Sequence, residues 1–153
     1  MRQTTLALVF DTEKNIILCM KKRWFWEWLY NWAGWKVEHG ETIIAWAKRE
    51  LFEETSINVE EIDMNYVWVL HFYFEANQDW NQDVSLFTVY DYSWDFEETE
   101  EMKPERFSIK DIPFDKMWED DKIWLPRVIS WEKVEYDFFF DENWKISNYK
   151  QIK

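Results

Sequence analysis

The sequence predicts an α+β sandwich, with two helices covering a mixed β-sheet. Short runs of β-branched and aromatic residues recur along the chain, and two segments read as helices. No Pro/Gly/Ser-rich linker divides the 153 residues, so one domain over 1–153 is expected. Residues 4–10 (TTLALVF) and 15–20 (NIILCM) read as strands joined by the polar turn Asp11–Asn15. Residues 21–35 carry three cations and then many aromatics without clean periodicity, which predicts a loop leading into a short strand. Residues 42–55 (TIIAWAKRELFEET) give the clearest helix, because Ile43, Ala47, Leu51 and Glu54 recur at about one-turn spacing and Ile44 and Ala45 widen the apolar face. Residues 64–75 and 84–92 read as strands. Asp95–Glu101 is an acidic stretch. Phe107–Ile112 runs on into PFDKMWEDDKIWLPRVI, a short acidic loop followed by a helix. Residues 134–140 and 144–149 read as a closing hairpin.

Composition narrows the function. A net charge of −13 and a pI near 4.6 argue against nonspecific binding to nucleic-acid polymers or to anionic membranes. They leave room for a small nucleotide, because clustered carboxylates can hold a divalent cation that bridges to phosphate. One cysteine, Cys19, rules out an intramolecular disulfide and suits a reducing cytoplasm. The N-terminal apolar run is far too short to span a membrane and lacks a small-residue cleavage site, so a cytoplasmic protein without a signal peptide is expected.

The chemistry concentrates in residues 35–57, WKVEHGETIIAWAKRELFEETSI. On a helix Glu50, Glu53 and Glu54 fall at i, i+3 and i+4 and share one face. Three neighbouring carboxylates repel one another, and a hard divalent cation such as Mg²⁺ relieves the repulsion while keeping positions for substrate phosphates. Arg49 precedes the cluster and can orient a carboxylate, and Glu41 lies upstream near the helix start. Taken by charge alone, the same run also reads as a solvated helix face.

The full spacing resembles the Nudix hydrolase signature: Gly, five residues, Glu, seven residues, Arg-Glu, an aliphatic, any residue, Glu-Glu, any residue, Gly, an aliphatic. Glu41, Arg49, Glu50, Leu51, Glu53, Glu54 and Ile57 match, while the two glycine positions hold Trp35 and Ser56. The likeness runs nearly the whole length. It is strongest to the branch that hydrolyses oxidised purine nucleoside triphosphates such as 8-oxo-dGTP. Met20–Arg23 match that branch's MKKR, Asn31 its base-contacting Asn, and Phe72 and Phe74 its pocket aromatics. Asp83-Val84 match the pair that opens its next strand, and Glu101–Pro104 match a segment supplying a further catalytic or metal-binding Glu. Ile112–Pro126 is similar to its purine-recognition segment.

The resemblance implies the Nudix fold, an α/β/α sandwich, and a Mg²⁺-dependent (or Mn²⁺-dependent) pyrophosphohydrolase. Water activated by metal and carboxylate would attack phosphate and yield a monophosphate and pyrophosphate. Glu50, Glu53 and Glu54 would hold metal, with Glu101 and the Gly34 carbonyl completing the set. Glu53, Glu54 and Glu101 would be catalytic, with Glu54 or Glu101 as base, and Glu41 and Arg49 would orient them. Lys21, Asn31, Phe72, Phe74, Trp118, Asp120 and Asp121 would bind substrate. Trp118 would stack on the base, for which an indole is a flat platform. Asp120 and Asp121 would pair with its edge, since a carboxyl of raised pKa can stay protonated near neutrality. Plainer readings stay open: Trp118, Trp124, Phe72 and Phe74 as core, Asp120–Asp121 as a helix N-cap, and Lys21 as a strand end. His39 and His71 show no partner pattern and read as structural. A monomer acting on a small nucleotide is expected. The alternatives are a hydrolase of another nucleoside diphosphate derivative or a non-catalytic nucleotide-binding module.

One imbalance crosses all of this: Gly 2 against Trp 13. About 7% glycine is usual, which is about 11 in such a chain. Along the resemblance, ten tryptophans occupy places where glycine or a turn is expected: Trp24, Trp26, Trp28, Trp32, Trp35, Trp46, Trp68, Trp94, Trp131 and Trp144. Ten glycines there would bring the content to about 8%, close to the usual share. Some bacterial lineages read the UGA codon as glycine, and another variant code reads it as tryptophan. A gene of the first kind translated by the second table shows this one-way exchange. The alternative is a true aromatic-rich protein, in which Trp24–Trp35 would crowd the phosphate loop and weaken activity.

Overall fold

The computed structural model describes residues 1–22, 30–31, 40–92, 95–100 and 102–153. Among them eight strands form one mixed sheet. They are β1 (Arg2–Phe10), β2 (Asn15–Lys21), β3 (Tyr30–Asn31), β4 (Met64–Phe74), β5 (Gln82–Val89), β6 (Met102–Ser108), β7 (Val134–Phe140) and β8 (Ile146–Gln151). The order is β3-β2-β1-β5-β4-β7-β8, with β6 antiparallel to β2. β1 runs parallel to β5 and β4 parallel to β7, while the remaining pairs are antiparallel.

Strand alternation sends successive residues to opposite faces. On one face Leu8, Phe10, Leu70, Phe74, Val84, Leu86 and Phe138 pack against Trp124, Leu125 and Val128 of α2 (Asp121–Ile129). On the other, Ala7, Val9, Ile17, Phe87 and Val89 pack against Ala47 and Leu51 of α1 (Ile43–Thr55). Helices on both faces of a mixed sheet make the expected α/β/α sandwich. Thr42 caps α1, its hydroxyl accepting from the Ala45 N–H at 3.2 Å, a contact worth about 1 kcal/mol. Ile43, expected on the apolar face, is instead exposed at the first turn.

β6 falls where the sequence analysis assigns no strand, between the acidic stretch ending at Glu101 and the segment beginning at Phe107, because MKPERFS holds a proline and alternating charges. Register explains the strand: Pro104 lies opposite Cys19, and the pairing with β2 runs from Asn15 to Lys21. Cross-strand hydrogen bonds and burial of Met102 and Pro104 outweigh weak intrinsic propensity.

Among the described residues three tryptophans have left-handed backbones: Trp68 (φ 106°), Trp131 (φ 67°) and Trp144 (φ 64°). Each sits in a motif that favours glycine. Trp68 follows the register break between Tyr66 and Trp68 in β4, a bulge. Trp131 ends α2: its N–H donates to Val128 O at 3.0 Å, and the Glu132 N–H donates to Arg127 O at 3.1 Å. That pair of bonds is a Schellman closure, whose left-handed residue is usually glycine. Trp144 lies in the β7–β8 turn, where Asp141 Oδ1 accepts from the Asn143 and Lys145 N–H groups. Ser56, at the signature's second glycine, is also left-handed (φ 65°) and closes α1 through an N–H bond to Phe52 O. Trp46, in the middle of α1, has ordinary helical backbone and is buried, with the Arg49 guanidinium 4.2 Å from its ring centroid. Trp24, Trp26, Trp28, Trp32, Trp35 and Trp94 lie outside the described residues.

His71 has partners that the sequence did not suggest. On β4 it bridges Asp83 of β5 (Nδ1 to Oδ1, 2.6 Å) and Glu135 of β7 (Nε2 to Oε1, 3.2 Å). The chain extends to Gln3 on Asp83 and to the Trp68 N–H on Glu135. Burial pulls the imidazole down, but bonds to the two carboxylates outweigh it and raise it above its ordinary 6.5. A raised folded value stabilises fully below about pH 6.5 and fades as pH rises through it. Thermal melts should show the gap between the protein and a His71→Gln variant largest near pH 5.5 and shrinking by about pH 8.5, with the maximal gap on the order of 1 kcal/mol. A gap that does not change with pH overturns this.

Candidate active site

The carboxylate helix is built as its spacing predicts, but its acids differ in setting. Glu54 is buried and the Glu50 side chain nearly so, whereas Glu53 is half exposed. Arg49 is the organiser. Its Nη1 donates to Glu53 at 2.7 Å and lies 3.4 Å from Glu50, and its Nε donates to Glu41 at 3.2 Å. The bond to Glu53 leads the effects that raise the guanidinium above its usual value, so it stays a fixed cation.

Glu54 faces β2. Burial, and then the charge of Glu54, push the Cys19 thiol far up. The Glu54 carbonyl accepts from the Thr99 hydroxyl, and the Glu97 N–H donates to Thr55 O at 2.8 Å. The end of α1 is thereby stitched to the acidic stretch 95–100. Lys22, beyond β2, reaches the same stretch through Glu98 at 2.6 Å and the Thr99 carbonyl at 2.9 Å. Gly34 and Glu101 lie outside the described residues, and for Lys21 and Asn31 the description stops at the backbone of β2 and β3. Among the described residues no three His, Cys, Asp or Glu side chains meet as a metal cage. The donors present are hard carboxylate oxygens, the type that divalent Mg²⁺ or Mn²⁺ takes.

The other residues singled out by the sequence lie on the opposite, α2 face of the sheet. Phe72 and Phe74 share one side of β4, while Tyr73 on the other side stacks on Phe139. Both phenylalanines and Trp118 meet around Phe140 of β7: centroid separations to Phe140 are 5.6, 5.0 and 6.4 Å. Phe140 was not foreseen; only its inward alternation in VEYDFFF hinted at it. Phe74 is core, and Phe72 and Trp118 are partly exposed at its edge. Trp124 is fully buried, so its core reading holds.

The capping reading of Asp120–Asp121 does not hold for Asp120. It precedes α2, but its carboxylate caps no backbone N–H of that helix. Its Oδ2 accepts from Trp124 Nε1 at 2.8 Å, inside the protein. Burial pushes Asp120 up to about 6; the Trp124 bond opposes this and the Glu119 charge adds to it. Asp121 is likewise buried beside it. Two buried carboxyls, one of them half protonated near pH 6, can both accept and donate hydrogen bonds.

Fold and carboxylate helix together define a hydrolase of phosphoric anhydride bonds. A family model described as NUDIX domain matches residues 1–128, and the chain belongs to the Nudix family. Nudix hydrolases generally use divalent metal ions. The chain is 35% identical over 148 residues to the mouse protein named oxidized purine nucleoside triphosphate hydrolase, covering 97% of this chain and 92% of that one. A Danio rerio protein of the same name is 37% identical over 125 residues, 82% of this chain and 78% of that one. Among solved structures, the MutT protein from Bacillus halodurans superposes with a TM-score of 0.86 at 20% identity, covering 99% of this chain and 98% of that one. No described helix is long and apolar enough to cross a membrane.

Proposed function

We propose that this Nudix hydrolase, acting as one domain over residues 1–153, cleaves purine nucleoside triphosphates with an oxidised base to the monophosphate and pyrophosphate. The observation that carries this is the buried, raised Asp120 beside the Trp118–Phe72–Phe74 edge. An oxidised purine differs from a normal one in its pattern of donors and acceptors, and a carboxyl near its midpoint can read such a difference. In this reading Trp118 stacks on the base, Asp120 and Asp121 read its edge, and Asn31 and Lys21 complete the contacts to base and phosphate. The names of the mouse and zebrafish relatives support the same substrate class.

Glu50, Glu53 and Glu54 would hold Mg²⁺, or Mn²⁺, with Glu101 and the Gly34 carbonyl. The bound ion would neutralise phosphate charge and make water more acidic. Glu54 or Glu101 takes the proton from the attacking water, and Arg49 holds Glu41 and Glu53 in place. One water adds to phosphorus, the anhydride bond breaks, and pyrophosphate leaves. The acidic surface disfavours nucleic-acid polymers, consistent with a monomer that works on free nucleotides in the cytoplasm.

Pyrophosphate release from a panel of oxidised and normal nucleoside triphosphates tests this, with the chain as written and with glycine at the ten tryptophan positions. Release selective for an oxidised purine, abolished by chelation and restored by Mg²⁺, is expected. An Asp120→Asn variant, which cannot switch between donor and acceptor, should lose most of the selectivity. Equal release from pyrimidine and purine nucleotides overturns the base assignment. No release from either folded form overturns the enzyme reading for this substrate class.

A further inference from the structure

Glu119 lies between the stacking residue Trp118 and the base-reading Asp120, and its side chain reaches the β7–β8 hairpin. Its Oε2 accepts the backbone N–H of Ile146 at 2.9 Å, across 27 residues of chain. Ile146 opens β8, directly after the turn that carries Trp144. The same turn meets the recognition segment a second time, where the Trp118 and Trp144 rings lie 6.4 Å apart. Trp118 also lies edge-on to Phe140, which ends β7. Segment 117–121 is therefore held on the β7–β8 hairpin by one charge-assisted bond and by aromatic edges. The backbone bonds of this segment, such as Met117 N–H to Phe114 O and Asp121 N–H to Trp118 O, are local and do not tie it to the hairpin. A carboxylate bonded to a distant N–H supplies that constraint.

We propose that Glu119 is a positioning residue for substrate selection, fastening the Trp118–Asp121 recognition segment to the β7–β8 hairpin through the Ile146 N–H. This rests on the assignment of that segment to the base. Nothing in the carboxylate helix depends on it, so loss of the fastening should raise KM and leave kcat alone. Glutamine keeps an acceptor oxygen at the same reach, whereas alanine has none.

The test measures kcat and KM for the preferred purine triphosphate in the form of the chain that turns over, for the parent, Glu119→Ala and Glu119→Gln. Hydrogen exchange at the Ile146 amide is followed beside it. For Glu119→Ala the expected result is a KM about tenfold higher, kcat within about twofold, and faster exchange at Ile146. Glu119→Gln should recover most of the KM and of the protection. Unchanged KM in Glu119→Ala beside an active parent overturns the positioning role alone, as does a Glu119→Gln variant no better than alanine. A folded parent that hydrolyses no purine triphosphate fails earlier and overturns the base assignment with it.

Discussion

A Glu54→Gln variant should fold normally and lose about 10²–10⁴-fold in kcat. Glutamine is nearly isosteric and leaves the backbone contacts of position 54 in place, including its carbonyl bond to Thr99. What disappears is a negative charge on the buried side of α1, facing β2. That charge is costly to bury, and a bound divalent cation would offset the cost. Glu53→Gln should cost activity by another route, because it also weakens the 2.7 Å bond that fixes Arg49. Pyrophosphate release and near-ultraviolet circular dichroism, measured together, separate the cases. Full turnover in a folded Glu54→Gln protein would remove Glu54 from both the ligand set and the base role.

Replacing Trp131 by glycine should raise the melting temperature, although it deletes the largest side chain in the repertoire. The indole is 77% exposed and, among the described residues, stacks on Tyr90 at 4.7 Å, so little apolar area is lost. The left-handed backbone of a non-glycine residue costs about 1–2 kcal/mol, and glycine removes that cost. A net gain of about 1 kcal/mol moves the midpoint of a protein this size by roughly 2–4 °C. Trp131→Ala serves as the control: it deletes the indole but keeps Cβ, and should not stabilise. At Trp144 the sign is a contest, because its ring also stacks on Trp80 at 4.7 Å. If Trp131→Gly melts lower than the parent, the left-handed strain is not what the backbone angle implies. Sequencing the gene decides the origin: UGG at the ten codons would end the decoding idea.

The order of elements was legible because its signals are local. Alternating strands, the amphipathic helix over 42–55 and the closing hairpin each announce themselves within a short window. β6 was hidden because its stability comes from register with β2, more than eighty residues earlier in the chain. The carboxylate helix was legible for the same local reason, since spacing on one helix fixes which side chains are neighbours. Spacing did not show that Arg49 holds Glu41 and Glu53 at once, or that Asp120 points inward to Trp124 instead of capping α2. His71, Phe140 and Glu119 were invisible as partners because each meets residues from other strands. The tryptophan excess was visible in composition, but only backbone angles separate Trp68, Trp131 and Trp144 from ordinary aromatics.

The left-handed tryptophans reach beyond stability to heredity. If all ten of the tryptophan codons in question are UGA, Trp24 included, a cell that uses UGA as a stop signal would end this chain at Arg23, two strands into the sheet and before any of α1. The gene would then be unreadable to most bacteria that acquired it. Its lineage would keep this enzyme private, passing it to descendants but not to neighbours.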